Sequence, residues 1–308
     1  MTTDDLFGQV ALFPDPDAQE RYAALVGIEE IKRRVVAQCT LLLDPSELVG
    51  WSQKHYGKLI RAAIEVTQRT PLVVFAGDVG TGKTELAESF SDEVARSMGV
   101  QITLYSLSLS ARGKGAVGEM TSLITAAFKE VRQAASASRN SDGRAVRGIV
   151  LLIDEADALA QSRELEQMHH EDRAGVNALI RGIDQLRREG LPVLTVLCSN
   201  RVDALDPAIT RRAAAIYLFD RPGEEQRISL LRALLEDIPV SSDEFNEIVE
   251  LTGPVAGRTY GCTYSDIRQR LIPEVVMEAL ASDVELTGNA LIQYAANFVP
   301  TRPFGSPE

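Results

Sequence analysis

The stretch Pro71 to Phe90, PLVVFAGDVGTGKTELAESF, constrains the fold of this chain more than any other. Leu72-Val73-Val74-Phe75 is a short unbroken apolar run, the pattern of a strand buried on both faces of a parallel sheet. The turn Gly77-Asp78-Val79-Gly80-Thr81-Gly82 follows, then Lys83-Thr84, then a helical run with Leu86, Ala87 and Phe90 on one side. This is G-x-x-x-x-G-K-[ST] in the strand–loop–helix setting that it requires. The glycines let the backbone curl so that N–H groups converge on phosphate oxygens, and the starting helix adds the positive end of its dipole. Lys83 is placed to neutralise β/γ-phosphate charge, and the Thr84 hydroxyl to ligate Mg²⁺. Asp78 to Thr84 therefore predict a nucleoside-triphosphate site.

Further short apolar runs extend the parallel sheet: Val100–Tyr105, Ile149–Ile153, Pro192–Cys198 and Ala214–Phe219. Helical periodicity separates them, as in Met120 to Ala135, where Leu123, Ile124, Ala127, Phe128 and Val131 form one stripe. Gly175–Arg188 repeats the pattern, with Val176, Leu179, Ile180 and Ile183 inward. Helices are also expected after Gly27 and over Lys58–Gln68, with a loop from Asp44-Pro45 to Gly57 between them. Past Arg221-Pro222-Gly223 only helices are expected, so a parallel α/β domain carries a small helical one. The expected boundaries are an N-terminal arm over 1–24, the α/β domain over 25–220, the helical lid over 221–296 and a tail over 297–308. The arm, with Phe7 and Phe13 among Asp and Pro, reads as extended.

The chemistry clusters at strand ends, where open α/β sheets bind ligands. IVLLIDEAD ends in Asp154, suited to orient Mg²⁺ or its water shell, and Glu155, suited to polarise an attacking water. Asn200 ends the fourth strand, with its amide available to the same water or to the γ-phosphate. Arg211 and Arg212 follow the turn signal Asp206-Pro207. One arginine suits a finger acting on a neighbouring subunit's γ-phosphate, for which Arg211 is favoured, and the other a tie across the interface. That reading requires a ring.

Composition narrows the partners. A net charge of −12 and a pI near 4.9 argue against holding nucleic acid by general electrostatics. The three cysteines, Cys39, Cys198 and Cys262, have no metal spacing and fit a reducing cytoplasm. No apolar run approaches membrane-spanning length, and MTTDDLFGQV lacks the order of a signal peptide. His169-His170 lacks the i,i+4 spacing of helical metal ligands and reads as part of a second flexible loop. Trp51 and Tyr56 read as core or packing residues, and Pro273 as a kink or break in a helix. Arg258 and Tyr260 lie in a glycine-rich loop to which the sequence assigns no role.

With GDVGTGKT, IVLLIDEAD, VLCSN and DPAITRR in this order, the chain resembles the AAA+ ATPases from about Leu25 to Ala281. The resemblance implies ATP as nucleotide, a five-stranded parallel sheet of order 5-1-4-3-2 and a helical lid from about residue 221. It places Val26-Gly27-Ile28 against the adenine and implies a homo-hexameric ring acting on protein. The stretch HHEDRAGVNALIRGIDQLRREGLPVLTVLCSN is more narrowly similar to the pachytene-checkpoint type of HORMA remodeller. A short N-terminal extension is similar to the bacterial members associated with cyclic-oligonucleotide anti-phage systems. There the expected task is to open a HORMA-type partner complex and so switch off a nucleotidyltransferase. A general AAA+ unfoldase and a DNA-acting AAA+ module are the alternatives, the latter disfavoured by charge.

Two departures from the family pattern stand out. The loop over residues 112–118, expected to grip client in the pore, has Ala116 in place of an aromatic residue and leaves Arg112, Lys114 and Val117 for the task. The lid's sensor arginine is Arg268 by its place near a helix start, whereas a gapless match puts Ser265 there.

Overall fold

The computed structural model describes residues 6–109, 119–136, 138, 147–157, 169–201 and 205–304. The expected pore loop over 112–118 lies outside them. The chain divides into two compact units. The first comprises Met1–Ala23, Glu30–Ala76 and Thr84–Leu218, and the second Ala24–Glu29, Gly77–Lys83 and Phe219–Glu308.

The first unit is built on a sheet of strands β1 (Gln9–Phe13), β2 (Leu72–Gly77), β3 (Gln101–Ser108), β4 (Arg147–Asp154), β5 (Val193–Ser199) and β6 (Ala215–Phe219). Their spatial order is β1-β3-β4-β5-β2-β6, a six-stranded sheet where five strands were expected. The last five keep the expected order, and β1 is the addition. It pairs antiparallel with β3, from Gln9 opposite Ser106 to Phe13 opposite Ile102. The reason lies in the two phenylalanines of the expected arm. Phe7 is buried with its ring 4.8 Å from Tyr105, and Phe13 is 1% exposed. Burying such a ring stabilises by about 2–3 kcal/mol, enough to hold a short edge strand that the flanking Asp and Pro disguise.

Residues alternate across the central strands and load both faces. Leu72, Val74 and Ala76 join one core with Leu123, Ile124, Phe128, Val131, Leu179 and Ile183, the two helical stripes expected from periodicity. On the other face Phe75 meets Phe90 and Tyr217 edge-on at 6.2 and 5.8 Å. The helices of this unit are α1 (Pro16–Ala23), α2 (Glu29–Leu43), α3 (Ser46–Tyr56), α4 (Arg61–Thr67), α5 (Lys83–Met98), α6 (Glu119–Ala135), α7 (His169–Glu189) and the one-turn α8 (Pro207–Thr210). Helix α3 replaces the loop expected there. Pro45 precedes its first turn and Gly57, at φ 69°, closes it, so two residues read as loop signals are helix boundaries. Trp51 and Tyr56 are not core residues: they are 45% and 54% exposed and pack on each other at 5.5 Å. His169 and His170 begin α7 rather than lying in a loop.

The second unit is helical: α9 (Glu224–Leu234), α10 (Ser242–Thr252), α11 (Ile272–Ala281) and α12 (Gly288–Asn297). Ser241 and Glu244 form a reciprocal capping box at the start of α10. A π-helix over Asp266–Leu271 runs directly into α11, with Pro273 in the first turn of α11. Pro273 has no N–H to donate, so the helix changes type at the point where the sequence signals a break. Residues 298–304 are irregular yet tied down: Arg258 donates to Phe298 O at 3.3 Å, and Thr301 to the Asp266 carboxylate. Among the described residues no helix is long and apolar enough to cross a membrane.

Candidate active site

Within the second unit, the phosphate loop is shaped by close approach. A Cβ on Gly77 would lie 2.0 Å from the Phe219 carbonyl oxygen, and Gly80, at φ 72°, has Thr263 Oγ1 2.7 Å from where its Cβ would be. Side chains at these two positions would open the loop. Thr81 Oγ1 donates to Asp78 O at 2.7 Å. Lys83 is 5% exposed, and its ammonium donates to Gly77 O and Asp78 O at 3.1 and 2.6 Å. A buried ammonium needs such partners. The Asp78 side chain turns toward Arg221, whose Nε lies 2.6 Å from Oδ2. Val79, expected for its backbone, leaves its side chain exposed.

Val26, Ile28, Thr81, Gly82, Tyr264 and Arg268 line one narrow cleft of this unit. Gly27 closes beside it, its carbonyl accepting from Gln226 Nε2 at 2.9 Å. Burial raises the Tyr264 hydroxyl pKa above its ordinary value, so this group stays a neutral phenol. Both sensor alternatives find a place. Arg268 lies on the π-helix, lines the cleft and donates to the Ala24 carbonyl, whereas Ser265 donates its N–H to Gly80 O at 3.0 Å. The guanidinium is thus on the cleft side, and Ser265 serves the loop through its backbone.

Within the first unit, Thr84 Oγ1 donates to Asp154 Oδ2 at 3.1 Å. The other oxygen, Asp154 Oδ1, accepts the Glu155 N–H at 2.7 Å. Two hard oxygen groups side by side at a strand end suit Mg²⁺. Glu155 has φ 55°, a left-handed conformation uncommon for this residue type and frequent at functional sites. Its Oε2 accepts from Ser108 Oγ at 2.8 Å. Sequence reasoning ended β3 at Tyr105 and missed Ser108. In the β3–β4 pairing Ser108 stands opposite Asp154, one residue before Glu155.

Asn200 follows β5 directly, half-buried, with its N–H 3.3 Å from Asp157 Oδ1. The β4 end is tied to the same place by the Ala156 N–H, which donates to Cys198 O at 2.8 Å. The two arginines differ. Arg212 pairs with Asp184 of α7 at 3.2 Å and donates to Ala208 O, whereas Arg211 is exposed. Arg212 thus holds an ion pair within this chain, and Arg211 is the more exposed of the two.

A glycine loop closed on a buried lysine, and a threonine bonded to a strand-end aspartate with a strained glutamate beside it, define a phosphate-loop nucleotide hydrolase. The family model for the ATPase family associated with various cellular activities (AAA) matches residues 73–221. The chain belongs to this family and is an ATPase. It is 49% identical over 301 residues to CD-NTase-associated protein 6 of Escherichia coli (strain MS 115-1), covering 98% of this chain and 96% of the relative. A protein of the same name from Escherichia coli (strain KTE188) is 39% identical over 280 residues, 91% of each chain. Among solved structures, a chain of the E. coli MS115-1 HORMA:CdnC:Trip13 complex matches with a TM-score of 0.90 at 46% identity, over 99% of both chains. Rhizobiales Trip13 matches with a TM-score of 0.76 at 39% identity, over 96% of this chain and 100% of that one.

Proposed function

We propose that this chain hydrolyses ATP to open a HORMA-type protein complex and thereby switches off an anti-phage nucleotidyltransferase in the cytoplasm. The observation that carries the client assignment is the near-full-length likeness, at 46% identity, to a chain solved in a complex with HORMA and CdnC.

Asp78 to Thr84 wrap the phosphates, with Lys83 exchanging its loop carbonyls for β/γ-phosphate oxygens, and Val26, Gly27 and Ile28 face the base. Thr84 and Asp154 would hold Mg²⁺, which would supply positive charge to the phosphates. Glu155 polarises the attacking water and Asn200 orients it. Arg268 contacts the nucleotide from the helical unit. The subunits form a hexamer in which Arg211 completes the neighbour's site, and residues 112–118 grip the client in the pore.

Glu155→Gln tests the assignment of the base. It removes the carboxylate suited to activate water while leaving the loop intact. Turnover is expected to fall by at least about 100-fold with ATP affinity retained. Lys83→Ala is expected to weaken binding itself. Equilibrium binding of a fluorescent ATP analogue separates the two, and a Glu155→Gln variant that hydrolyses at the wild-type rate rules the assignment out.

A further inference from the structure

Asp78 occupies the second position of the phosphate loop, where a free carboxylate would repel a triphosphate. Among the described residues, the hydrogen bonds of its side chain are all internal to the second unit. Oδ2 accepts from Arg221 Nε at 2.6 Å, and Oδ1 accepts the N–H groups of Val79 and Phe304 at 2.8 and 3.2 Å. Its carbonyl holds the Lys83 ammonium at 2.6 Å. Asp78 thus touches the loop lysine, the segment after β6 and the C-terminal segment.

Both tethers are themselves anchored. Arg221 donates to Gly261 O at 2.8 Å and stacks over Tyr260 at 5.1 Å, while its Nη2 is buried without a hydrogen-bond partner. Asp78 is the carboxylate paired with this largely buried guanidinium. Leading to Phe304, the chain is pinned at Thr301, whose N–H and hydroxyl donate to the buried Asp266 carboxylate at 3.1 and 2.7 Å. Asp266 in turn accepts the Thr263 N–H at 2.9 Å, and the next-but-one residue, Ser265, donates to Gly80 O. The C-terminal segment is strapped between the π-helix and the phosphate loop.

We infer that Asp78 is a positioning residue for nucleotide binding, and that residues 301–304 set ATP affinity through it. A neutralised and doubly tethered Asp78 fixes its own peptide, and that peptide fixes the Lys83 ammonium. The inference rests on the nucleotide-site reading above and adds a part of the chain that no phosphate-loop motif contains.

The test uses the backbone. Phe304→Pro deletes the N–H that reaches Asp78 while keeping chain length, and Phe304→Leu keeps the N–H while changing the ring. With Phe304 about half exposed, neither change disturbs a core. Phe304→Pro is expected to raise the Kd and KM for ATP about fivefold to tenfold with kcat within about twofold, and Phe304→Leu to behave as wild type. Asp78→Ala, which removes both acceptor oxygens, is expected to weaken ATP at least as much. Adding Phe304→Pro to Asp78→Ala should cost nothing further, because the two act along one path. Equal ATP affinity in wild type and Phe304→Pro, or full additivity of the two changes, overturns the inference alone. A wild-type chain that binds no ATP overturns the site reading and this inference with it.

Discussion

Glu155 is held rather than free. Its φ of 55° and its hydrogen bond from Ser108 fix the carboxylate in one pose. Ser108→Ala removes a bond worth about 1 kcal/mol and is expected to lower basal ATP hydrolysis about fivefold at unchanged ATP affinity. Turnover at or above the wild-type rate would contradict a positioning role for Ser108. The same scale separates the two arginines. Arg211→Ala is expected to remove most hydrolysis at an unchanged thermal midpoint. Arg212→Ala breaks a half-exposed pair with Asp184 and is expected to lower stability by about 0.2–1 kcal/mol. Thermal melts and ATPase assays on both variants read this directly, and equal loss of activity with equal loss of stability contradicts it. Asp78, Asp154 and Glu155 were legible as residue types at motif spacing. Their partners Arg221 and Ser108 were not, because each contact depends on where two distant segments end.

At the scale of elements, periodicity located the stripes of α6 and α7 and the apolar runs of β2, β4 and β5, since burial on a fixed face imposes a fixed spacing. It failed where one residue type serves two purposes. Pro45 and Gly57 bound helix α3 as readily as they would a loop, and Phe13 anchors an edge strand within a polar stretch. The C-terminal segment, irregular in sequence, is ordered by Asp266, whose side chain is 1% exposed. Burial pushes this carboxyl up, but the hydrogen bonds from Thr263 and Thr301 outweigh it and hold the pKa below the ordinary 3.8. The unfolded chain therefore takes up this proton at higher pH than the folded one. The stabilisation is complete above about pH 4 and is lost as pH falls through the lowered folded value. Asp266→Asn is expected to lower stability at pH 7 by about 1–3 kcal/mol and to flatten the acid limb of the stability curve. Urea midpoints across a pH series read the slope, and an unchanged acid limb contradicts the assignment.

At the scale of the whole molecule, Asp78 ties the phosphate loop to the helical unit, and within the other unit the sheet presents Asp154, Glu155 and Asn200 at its strand ends. ATP hydrolysis by itself does not distinguish a remodeller from any other member of the AAA family. What distinguishes it is work on a HORMA-domain protein, the claim that the relatives' likeness supports most strongly. The direct measurement follows the release of a fluorescent peptide from a HORMA-domain protein of the kind in the E. coli MS115-1 complex, mixed with this chain and ATP. The account predicts release that accelerates with ATP at least about tenfold over the spontaneous rate and vanishes with Glu155→Gln. Release at the spontaneous rate in the presence of wild-type chain that is turning over ATP would contradict it.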